Sequence, residues 1–247
     1  ALLVLVIALS AAGCTDEGPD TSAPQRTVID RTPDWRGALL YIADENGPVP
    51  GWGSVRVYDN VSGFVEKTVE QTAAAGPADV YVTSDGGSMY VAGAENGRMD
   101  KFRWDGNNWI RGGVTLELPV TSISAVMPGP DGKLYVSANG REQQGQLFRL
   151  DLITDRVEEQ PLPFPSLLDI QGAAWSPDGS TIYLSGRSPR GQWRLCSASW
   201  PSLSAERCLD LPETTGASKP VVTVDGRSVL IMAPERILMI DPASMTV

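Results

Sequence analysis

The sequence predicts an all-β protein built from repeated four-stranded antiparallel units, and three observations support this prediction. An Asp-Gly pair recurs at a nearly constant interval, apolar β-rich runs flank each pair, and no useful length of chain shows helical periodicity. The pairs, separated by 46, 47 and 47 residues, are Asp85-Gly86, Asp131-Gly132, Asp178-Gly179 and Asp225-Gly226. Four short strands repeated about every 46 residues are typical of the blades of a β-propeller.

Each Asp-Gly pair predicts the turn of a hairpin between the first and second strands of a unit. Apolar runs such as "ADVYVTS" and "GAAWS" precede the pair, and β-rich runs such as "SMYVAG" and "TIYLSG" follow it. Asp can hydrogen-bond its own backbone, and Gly adopts the positive φ that the turn requires. An earlier run, "RGALLYIADENG", places Tyr41 49 residues before its counterpart Tyr90, so five units are visible.

A third strand follows each hairpin, and in four units it ends in an acid, at Asp59, Asp105, Asp151 and Asp241. In the remaining unit, Ala198 of "WRLCSAS" occupies that place. More polar runs, "FVEKTVE", "RVEEQPL" and "AERCLDL", then predict a solvent-facing fourth strand. Because each acid stands where a strand ends, we expect these carboxylates to form turns and not a ring of metal ligands.

The repeats cover residues 31–247, and the fifth unit reaches Val247 where its outer strand should begin. Two arrangements are open at this point. One is a small ring closed by the N-terminal run "RTVID", and the other is a fragment of a ring of about six to eight blades. We expect the fragment, with a propeller domain that is incomplete at its C-terminus.

Two sets of runs resemble known propeller repeats. The run "WSPDGSTIYLS" resembles the blades of TolB-like propellers. The runs "DVYVTSDGGSMYVAG" and "KLYVSANG" resemble the YVTN group, to which lactonase-like propellers are also similar. The resemblance extends over residues 31–247 and implies the blade architecture. It does not imply one activity, because the matching residues are turn and core positions.

The N-terminus has the pattern of an export signal. Residues 1–13 are an apolar run followed by small residues, shorter than the roughly 20 apolar residues that span a bilayer. They lack an initiating Met and a basic segment, so we expect a truncated signal. The run "LSAAGC" resembles the lipobox of bacterial lipoproteins, which implies lipidation of Cys14. Residues 14–30 would then be a flexible tether, and the protein would be anchored to a membrane of the bacterial cell envelope, outside the cytoplasm.

Composition excludes several classes of function. The formal net charge is −10, which repels a phosphate backbone, so nucleic acid is not an expected partner. The chain contains no histidine, which removes Ser-His and Cys-His catalytic pairs and the usual nitrogen ligand of zinc. Cys196 and Cys208 flank the turn-rich run "SWPSLS", which suggests facing positions on a hairpin. Either a disulfide or two buried free thiols would fit that spacing.

The loops between second and third strands predict a binding face for a protein or a small ligand, opposite the Asp-Gly turns. Their carboxylates and amides could hold Ca²⁺, which takes oxygen ligands, although Asn-Gly sequences are also ordinary turn formers. No other cofactor is predicted. Trp52 stands between Gly51 and Gly53, beside Pro50, where little strand surrounds it, and is expected to be exposed. The candidate residues are Asp44, Glu45, Asn46, Trp52, Glu95, Asn96, Asn139, Arg141, Glu142 and Arg187, with Glu235 in the fifth loop.

These observations favour a lipid-anchored, exported β-propeller that acts as a binding or scaffolding module and contacts the membrane through its anchor. The alternative, from the resemblance to lactonase-like propellers, is a hydrolase of sugar lactones, with or without a metal ion. No motif identifies catalytic residues for that reaction, so a role without catalysis is the leading expectation.

Overall fold

In the part of the chain that the structure describes, the regular structure consists of β-strands arranged in five antiparallel sheets. The computed structural model describes residues 39–44, 54–59, 65–69, 77–93, 97–106, 108–139, 145–158, 162–211, 218–233 and 236–247. Within these ranges no helix is long and apolar enough to cross a membrane. Each sheet corresponds to one unit of the sequence repeat and is called a blade, numbered 1 to 5 in chain order.

The strands of each blade follow one another along the chain. Blade 1 contains β1 (Leu39–Asp44), β2 (Ser54–Asp59) and β3 (Val65–Val69). Blade 2 contains β4 (Pro77–Val82), β5 (Ser88–Gly93), β6 (Arg98–Trp104) and β7 (Trp109–Glu117). Blade 3 contains β8 (Ser122–Pro128), β9 (Leu134–Asn139), β10 (Gly145–Asp151), β11 (Arg156–Val157) and β12 (Leu162–Phe164). Blade 4 contains β13 (Asp169–Trp175), β14 (Thr181–Arg187), β15 (Trp193–Ser199) and β16 (Arg207–Asp210). Blade 5 contains β17 (Val221–Val222), β18 (Val229–Ala233) and β19 (Arg236–Ile240).

The arrangement of the sheets is that of a β-propeller, which confirms the predicted fold class. In blades 2 and 4 the strands pair in chain order, from the first strand at one edge to the fourth at the other. The first strands of neighbouring blades lie beside each other, since β8 contacts both β4 and β13. These first strands therefore surround the axis, and each blade packs face to face against the next.

The Asp-Gly turns have the predicted chemistry. The four glycines adopt positive φ values of 67°, 74°, 71° and 69° at Gly86, Gly132, Gly179 and Gly226. Each glycine N–H donates to the carbonyl oxygen three residues earlier, at 2.8 to 3.2 Å. A side chain with a Cβ is strained at such φ values, so glycine is the residue that lets each hairpin close.

The turn of blade 3 uses a different partner for its aspartate. In the other three turns a Ser or Thr hydroxyl donates to the carboxylate, as Ser176 does to Asp178 at 2.6 Å. Blade 3 has Gly129 at that place, and the Tyr135 hydroxyl donates to Asp131 Oδ2 at 2.7 Å instead. A Cβ on Gly129 would lie 2.1 Å from the Tyr135 ring, so the phenol occupies the space of the missing side chain.

The acids at the ends of the third strands form turns, as the sequence predicts. Asp105 accepts the backbone N–H of Asn108 at 2.6 Å, and Asp151 accepts those of Ile153 and Thr154. Asp241 accepts the N–H of Ala243 at 2.9 Å. The side chain of Asp59 lies outside the described part of the structure. The carboxylates that are described therefore satisfy their own backbone and do not converge on an ion.

The hydrophobic core lies between blades. Tyr90 and Met99 of blade 2 pack against Ile123 and Val126 of blade 3, and all four are nearly or fully buried. Equivalent clusters join blades 1 and 2, blades 3 and 4, and blades 4 and 5. Full burial of one such side chain is worth about 1.5 to 3 kcal/mol, so the interblade surfaces hold the blades together.

Cys196 and Cys208 form a disulfide, which is one of the two alternatives that the sequence left open. The two residues are directly opposite each other in the pairing of β15 with β16, with 4.1 Å between their Cα atoms. The bridge therefore links the third and fourth strands within blade 4.

Candidate functional site

A repeated position near the axis carries two opposite charges that the sequence analysis missed. The first strands of blades 2, 3 and 4 each contain a bulge, immediately followed by Asp79, Ala125 and Gly172. Lys219 occupies the corresponding place ahead of β17, since each of these residues stands six positions before the Asp of an Asp-Gly turn. This position, called the axial position below, therefore carries Asp, Ala, Gly and Lys in successive blades.

Asp79 and Lys219 form an ion pair between blades that are not neighbours. Asp79 Oδ2 lies 3.0 Å from Lys219 Nζ and also accepts the backbone N–H of Val126 at 2.8 Å. Lys219 Nζ donates in addition to the Val126 carbonyl at 2.9 Å. Asp79 is 1% exposed, and the Lys219 side chain is 27% exposed. Because the carboxylate is buried and fully engaged, the pair connects blades 2, 3 and 5 across the axis.

Gly172, at the axial position of blade 4, makes room for this lysine. A Cβ on Gly172 would lie 2.7 Å from Lys219 Cβ and Cγ, closer than such atoms approach. The lysine stem therefore lies directly on the blade 4 backbone as it extends toward blade 2. The sequence contained a usable signal, because the four axial residues have the same spacing as the Asp-Gly pairs.

A cleft of about 410 Å³ opens between blades 3 and 4 on the predicted binding face. It lies where β9 and β14 end and where β13 begins, which is the side of the propeller opposite the Asp-Gly turns. Its volume is within the range of about 300 to 1,000 Å³ that is usual for small-ligand sites. The lining residues are Thr121, Asn139, Leu168, Asp169, Arg187, Ser188, Pro189 and Gly191.

Asp169, one of the residues that line this cleft, is held in place by hydrogen bonds. Its Oδ1 accepts hydrogen bonds from Asn139 Nδ2 at 2.8 Å and from Gln171 Nε2 at 2.9 Å. Asn139 is fixed in turn, because its Oδ1 accepts the Ile170 N–H at 3.2 Å. The carboxylate is therefore oriented by amide donors from two blades, with Oδ2 on the side of Arg187.

Arg187 supplies the positive charge of the cleft and remains largely in water. Its Nη2 lies 3.7 Å from Asp169 Oδ2, and its side chain is 52% exposed, against 22% for Asp169. A guanidinium has five N–H donors in a planar fork that matches carboxylate and phosphate groups. One long contact with Asp169 leaves this group able to engage an anionic ligand.

Two of the predicted face residues, Asn139 and Arg187, are brought together by the cleft, and Asp169 was not predicted. No local pattern marks Asp169, because it simply opens a strand after a short connection. Asp44 is the last residue of β1, and its side chain is not among those described. The other predicted residues lie outside the described residues: Cys14, Glu45, Asn46, Trp52, Glu95, Asn96, Arg141, Glu142 and Glu235.

Among the residues that the structure describes, one group of potential metal ligands has its atoms close enough together to hold an ion. It consists of Cys196, Glu206 and Cys208. Both sulfurs belong to the disulfide, and a metal ligand must be a thiolate, so this group is not a metal site. The expectation of Ca²⁺ on the loop face stays a prediction, because most of its oxygen donors lie outside the described ranges.

Comparison with known proteins supports the propeller architecture. No family model and no curated protein sequence matches the chain. The chain is similar to Kuenenia stuttgartiensis hydrazine synthase, with a TM-score of 0.65 and 16% identity over 83% of this chain and 62% of that one. A proposed 6-phosphogluconolactonase from Bacteroides uniformis gives a TM-score of 0.63 and 15% identity over 87% and 68% of the two chains. TolB from Acinetobacter baumannii gives 0.58 and 16% identity over 82% and 49%. The chain thus spans about half to two thirds of the length of these structures, and at such identities the similarity shows the fold alone.

Proposed function

We propose that this chain is an exported, lipid-anchored β-propeller that acts as a binding module in the bacterial cell envelope. The observation that carries the proposal is the cleft between blades 3 and 4, where Asn139, Asp169 and Arg187 converge on the predicted binding face. Positioned polar groups beside apolar Leu168 and Pro189 are the usual composition of a ligand site. The blades hold these three groups in place, and binding a ligand requires no catalytic pair.

The charges of the cleft define the ligand chemistry that fits it. Arg187 favours a carboxylate or phosphate group, because its guanidinium can donate two parallel hydrogen bonds. Asp169 accepts hydrogen bonds through the oxygen that faces Arg187. A ligand with an anionic group next to a hydroxyl or amine would therefore satisfy both residues, whether it is a free small molecule or the exposed side chains of a protein.

A charge reversal at Arg187 tests the binding face. The immobilised Arg187→Glu variant should retain at least about tenfold less envelope material than the unmodified protein, since a buried or oriented charge contact is worth about 1.4 kcal/mol or more. Arg227→Glu is the matched control, because Arg227 is 87% exposed and lies on an Asp-Gly turn of the opposite face. Equal retention by the two variants would exclude the cleft as the contact.

The lipid anchor is tested separately, through substitution of Cys14, which lies outside the described residues. Cys14→Ser should move the protein from the membrane fraction to the soluble fraction and abolish incorporation of labelled fatty acid. Retention of the label by Cys14→Ser would reject the anchor and leave the cleft proposal unaffected.

Hydrolysis of sugar lactones is the alternative function. Its support is the resemblance of the repeats to lactonase-like propellers. A panel of sugar lactones assayed with and without Ca²⁺ separates the two functions. Ring opening that Asp169→Asn abolishes would replace the binding proposal, while rates equal to the spontaneous rate would remove the alternative.

A further inference from the structure

The charged residues that line the cleft between blades 3 and 4 are one cation and one anion. In the described part of the structure these are Arg187 and Asp169, and the other lining residues are uncharged. At 3.7 Å, the contact between Arg187 Nη2 and Asp169 Oδ2 is longer than a hydrogen bond, so neither charge is fully satisfied by the other. The cleft by itself is therefore electrically neutral, with its two charges only loosely paired.

Each of the two charged groups has hydrogen-bonding capacity left for a ligand. Both amide donors to Asp169, which are Asn139 Nδ2 and Gln171 Nε2, bind its Oδ1. Its Oδ2 lies on the side of Arg187 and can accept hydrogen bonds from a molecule in the cleft. The Arg187 guanidinium has five N–H donors and lies on a side chain that is half exposed. The cleft thus offers charged donors next to a charged acceptor.

A ligand that carried an anionic group alone would unbalance these charges. Arg187 would direct its donors to the ligand, and Asp169 would lose the cation that faces it. A partly buried carboxylate without a cation is unfavourable, because it has lost part of its hydration and gained no opposite charge. A ligand hydroxyl would offer Asp169 one neutral donor, whereas an ammonium group offers three donors and a positive charge. The neutral cleft therefore favours a ligand with one group of each sign.

The distance between the two charged groups limits how far apart the charges of the ligand can lie. Because Nη2 and Oδ2 are 3.7 Å apart, an anion on the guanidinium and an ammonium on Oδ2 must be close neighbours. A carboxylate and an ammonium bonded to the same carbon atom meet this limit. Leu168 and Pro189 give the cleft an apolar part that can accept an uncharged substituent of that carbon. The volume of about 410 Å³ has room for such a molecule.

We propose that the cleft binds a free α-amino acid with an uncharged side chain, with the ligand carboxylate on Arg187 and the ligand ammonium on Asp169. This inference rests on the proposed function as a binding module and narrows its ligand. A residue inside a polypeptide does not fit, because its amino and carboxyl groups form peptide bonds and carry no charge. The inference therefore assigns the cleft to a small molecule and not to the surface of a partner protein.

Calorimetric titration of the purified protein with matched ligands tests this inference. The probes are the standard α-amino acids and, for the one that binds most tightly, the α-hydroxy acid that has a hydroxyl in place of the ammonium. The amino acid should bind at least about tenfold more tightly than its hydroxy acid, because the ammonium contact is charge-assisted. Asp169→Asn should reduce this preference to about equal binding, since it removes the charge that the ammonium faces. Asp225→Asn, on the opposite face, is the matched control and should keep the preference.

Four results would overturn the inference. They are the absence of binding by every standard α-amino acid, tightest binding by one with a charged side chain, equal binding of the amino acid and its hydroxy acid, and an unchanged preference in Asp169→Asn. The comparison of the two acids uses the unmodified protein, so it gives an answer even if Asp169→Asn fails to fold.

The inference and the binding proposal fail in different ways. Equal binding of the two acids would reject the amino acid as the ligand and leave the cleft as a binding site. Equal retention of envelope material by Arg187→Glu and Arg227→Glu would reject the cleft itself.

Discussion

Two ion pairs near the inner strands, Asp79–Lys219 and Asp169–Arg187, each join an aspartate to a cation, but they differ in distance and burial. The axial pair is at 3.0 Å, and its carboxylate is 2% exposed and engaged by the Val126 backbone as well. The cleft pair is at 3.7 Å, and its arginine is 52% exposed. Both carboxylates accept further hydrogen bonds, but Asp169 is 22% exposed, whereas the cation of the axial pair, Lys219, is 27% exposed. Burial and hydrogen bonding therefore distinguish the axial pair, which is structural, from the cleft pair, whose cation is half exposed.

The largest expected difference between the two pairs is in stability. Lys219→Met leaves the buried carboxylate of Asp79 without its cation, which should lower the free energy of unfolding by about 3 to 5 kcal/mol. Arg187→Met removes a half-exposed cation and should cost about 0 to 1 kcal/mol. Urea unfolding of the two variants measures both values. Similar losses for Lys219→Met and Arg187→Met would erase the distinction.

Removing the space that the lysine occupies should have a smaller effect. Gly172→Ala places a methyl group against the Lys219 stem, and such overpacking typically costs about 1 to 3 kcal/mol. The same substitution in a Lys219→Gly background should cost less, because Lys219 Cβ and Cγ, each 2.7 Å from the added carbon, are then gone and the Cα at 2.8 Å remains. A double-mutant cycle in thermal or urea unfolding measures this coupling. Additive effects would mean that Gly172 is required for another reason.

The cleft pair should affect binding with little effect on folding. Asp169→Asn keeps an oxygen acceptor for Asn139 and Gln171 but removes the charge that faces Arg187, so we expect a change in the free energy of unfolding below about 1 kcal/mol. Retention of envelope material should fall by about tenfold, as for Arg187→Glu. Asn substitution of Asp225, on the opposite face, is the control for retention. A large loss of stability in Asp169→Asn would show that the cleft pair, like the axial pair, has a structural role.

The smallest expected effect is on the pH dependence of stability. It comes from the Asp-Gly turns, which belong neither to the axial pair nor to the cleft pair. The Ser176 hydroxyl and then the Ser180 N–H and hydroxyl lower the pKa of Asp178 to about 2. A lowered folded pKa stabilises the protein above the ordinary value of about 4, and this contribution is lost as the pH falls toward about 2. In Asp178→Asn, the unfolding midpoint should therefore change less between pH 5 and pH 2 than it does in the unmodified protein. An unchanged slope would show that the turn carboxylate is not the titrating group.

The sequence predicted the features that depend on neighbours in the chain. The positive φ at Gly179, the hydrogen bonds of Asp178 and the turn-forming role of Asp151 each follow from a few adjacent residues. The period of the Asp-Gly pairs then predicted the blades, because repetition of one hairpin leaves few ways to bury its apolar faces. Local chemistry was sufficient for the fold class.

The candidate site was predicted only in part, and the reason is physical. Asn139 and Arg187 were placed on the binding face because their loops are on one side of every blade, which follows from strand order. Asp169 was missed, since its role arises only when blade 4 packs against blade 3 and Asn139 reaches it. The other candidate residues of the face have side chains outside the described part of the structure, so their roles stay predictions.

The sequence by itself determined the blades, their turns and their order, because those are set by backbone conformations that single residues favour or exclude. The tertiary structure decided which side chains meet between blades. Asp79 and Lys219 are 140 residues apart and come together only because first strands from several blades surround one axis. Likewise, Ile237 has the same local pattern as Leu195, and only packing shows that one is covered and the other open. Contacts between blades depend on how the sheets curve and stack, and no local pattern encodes that geometry.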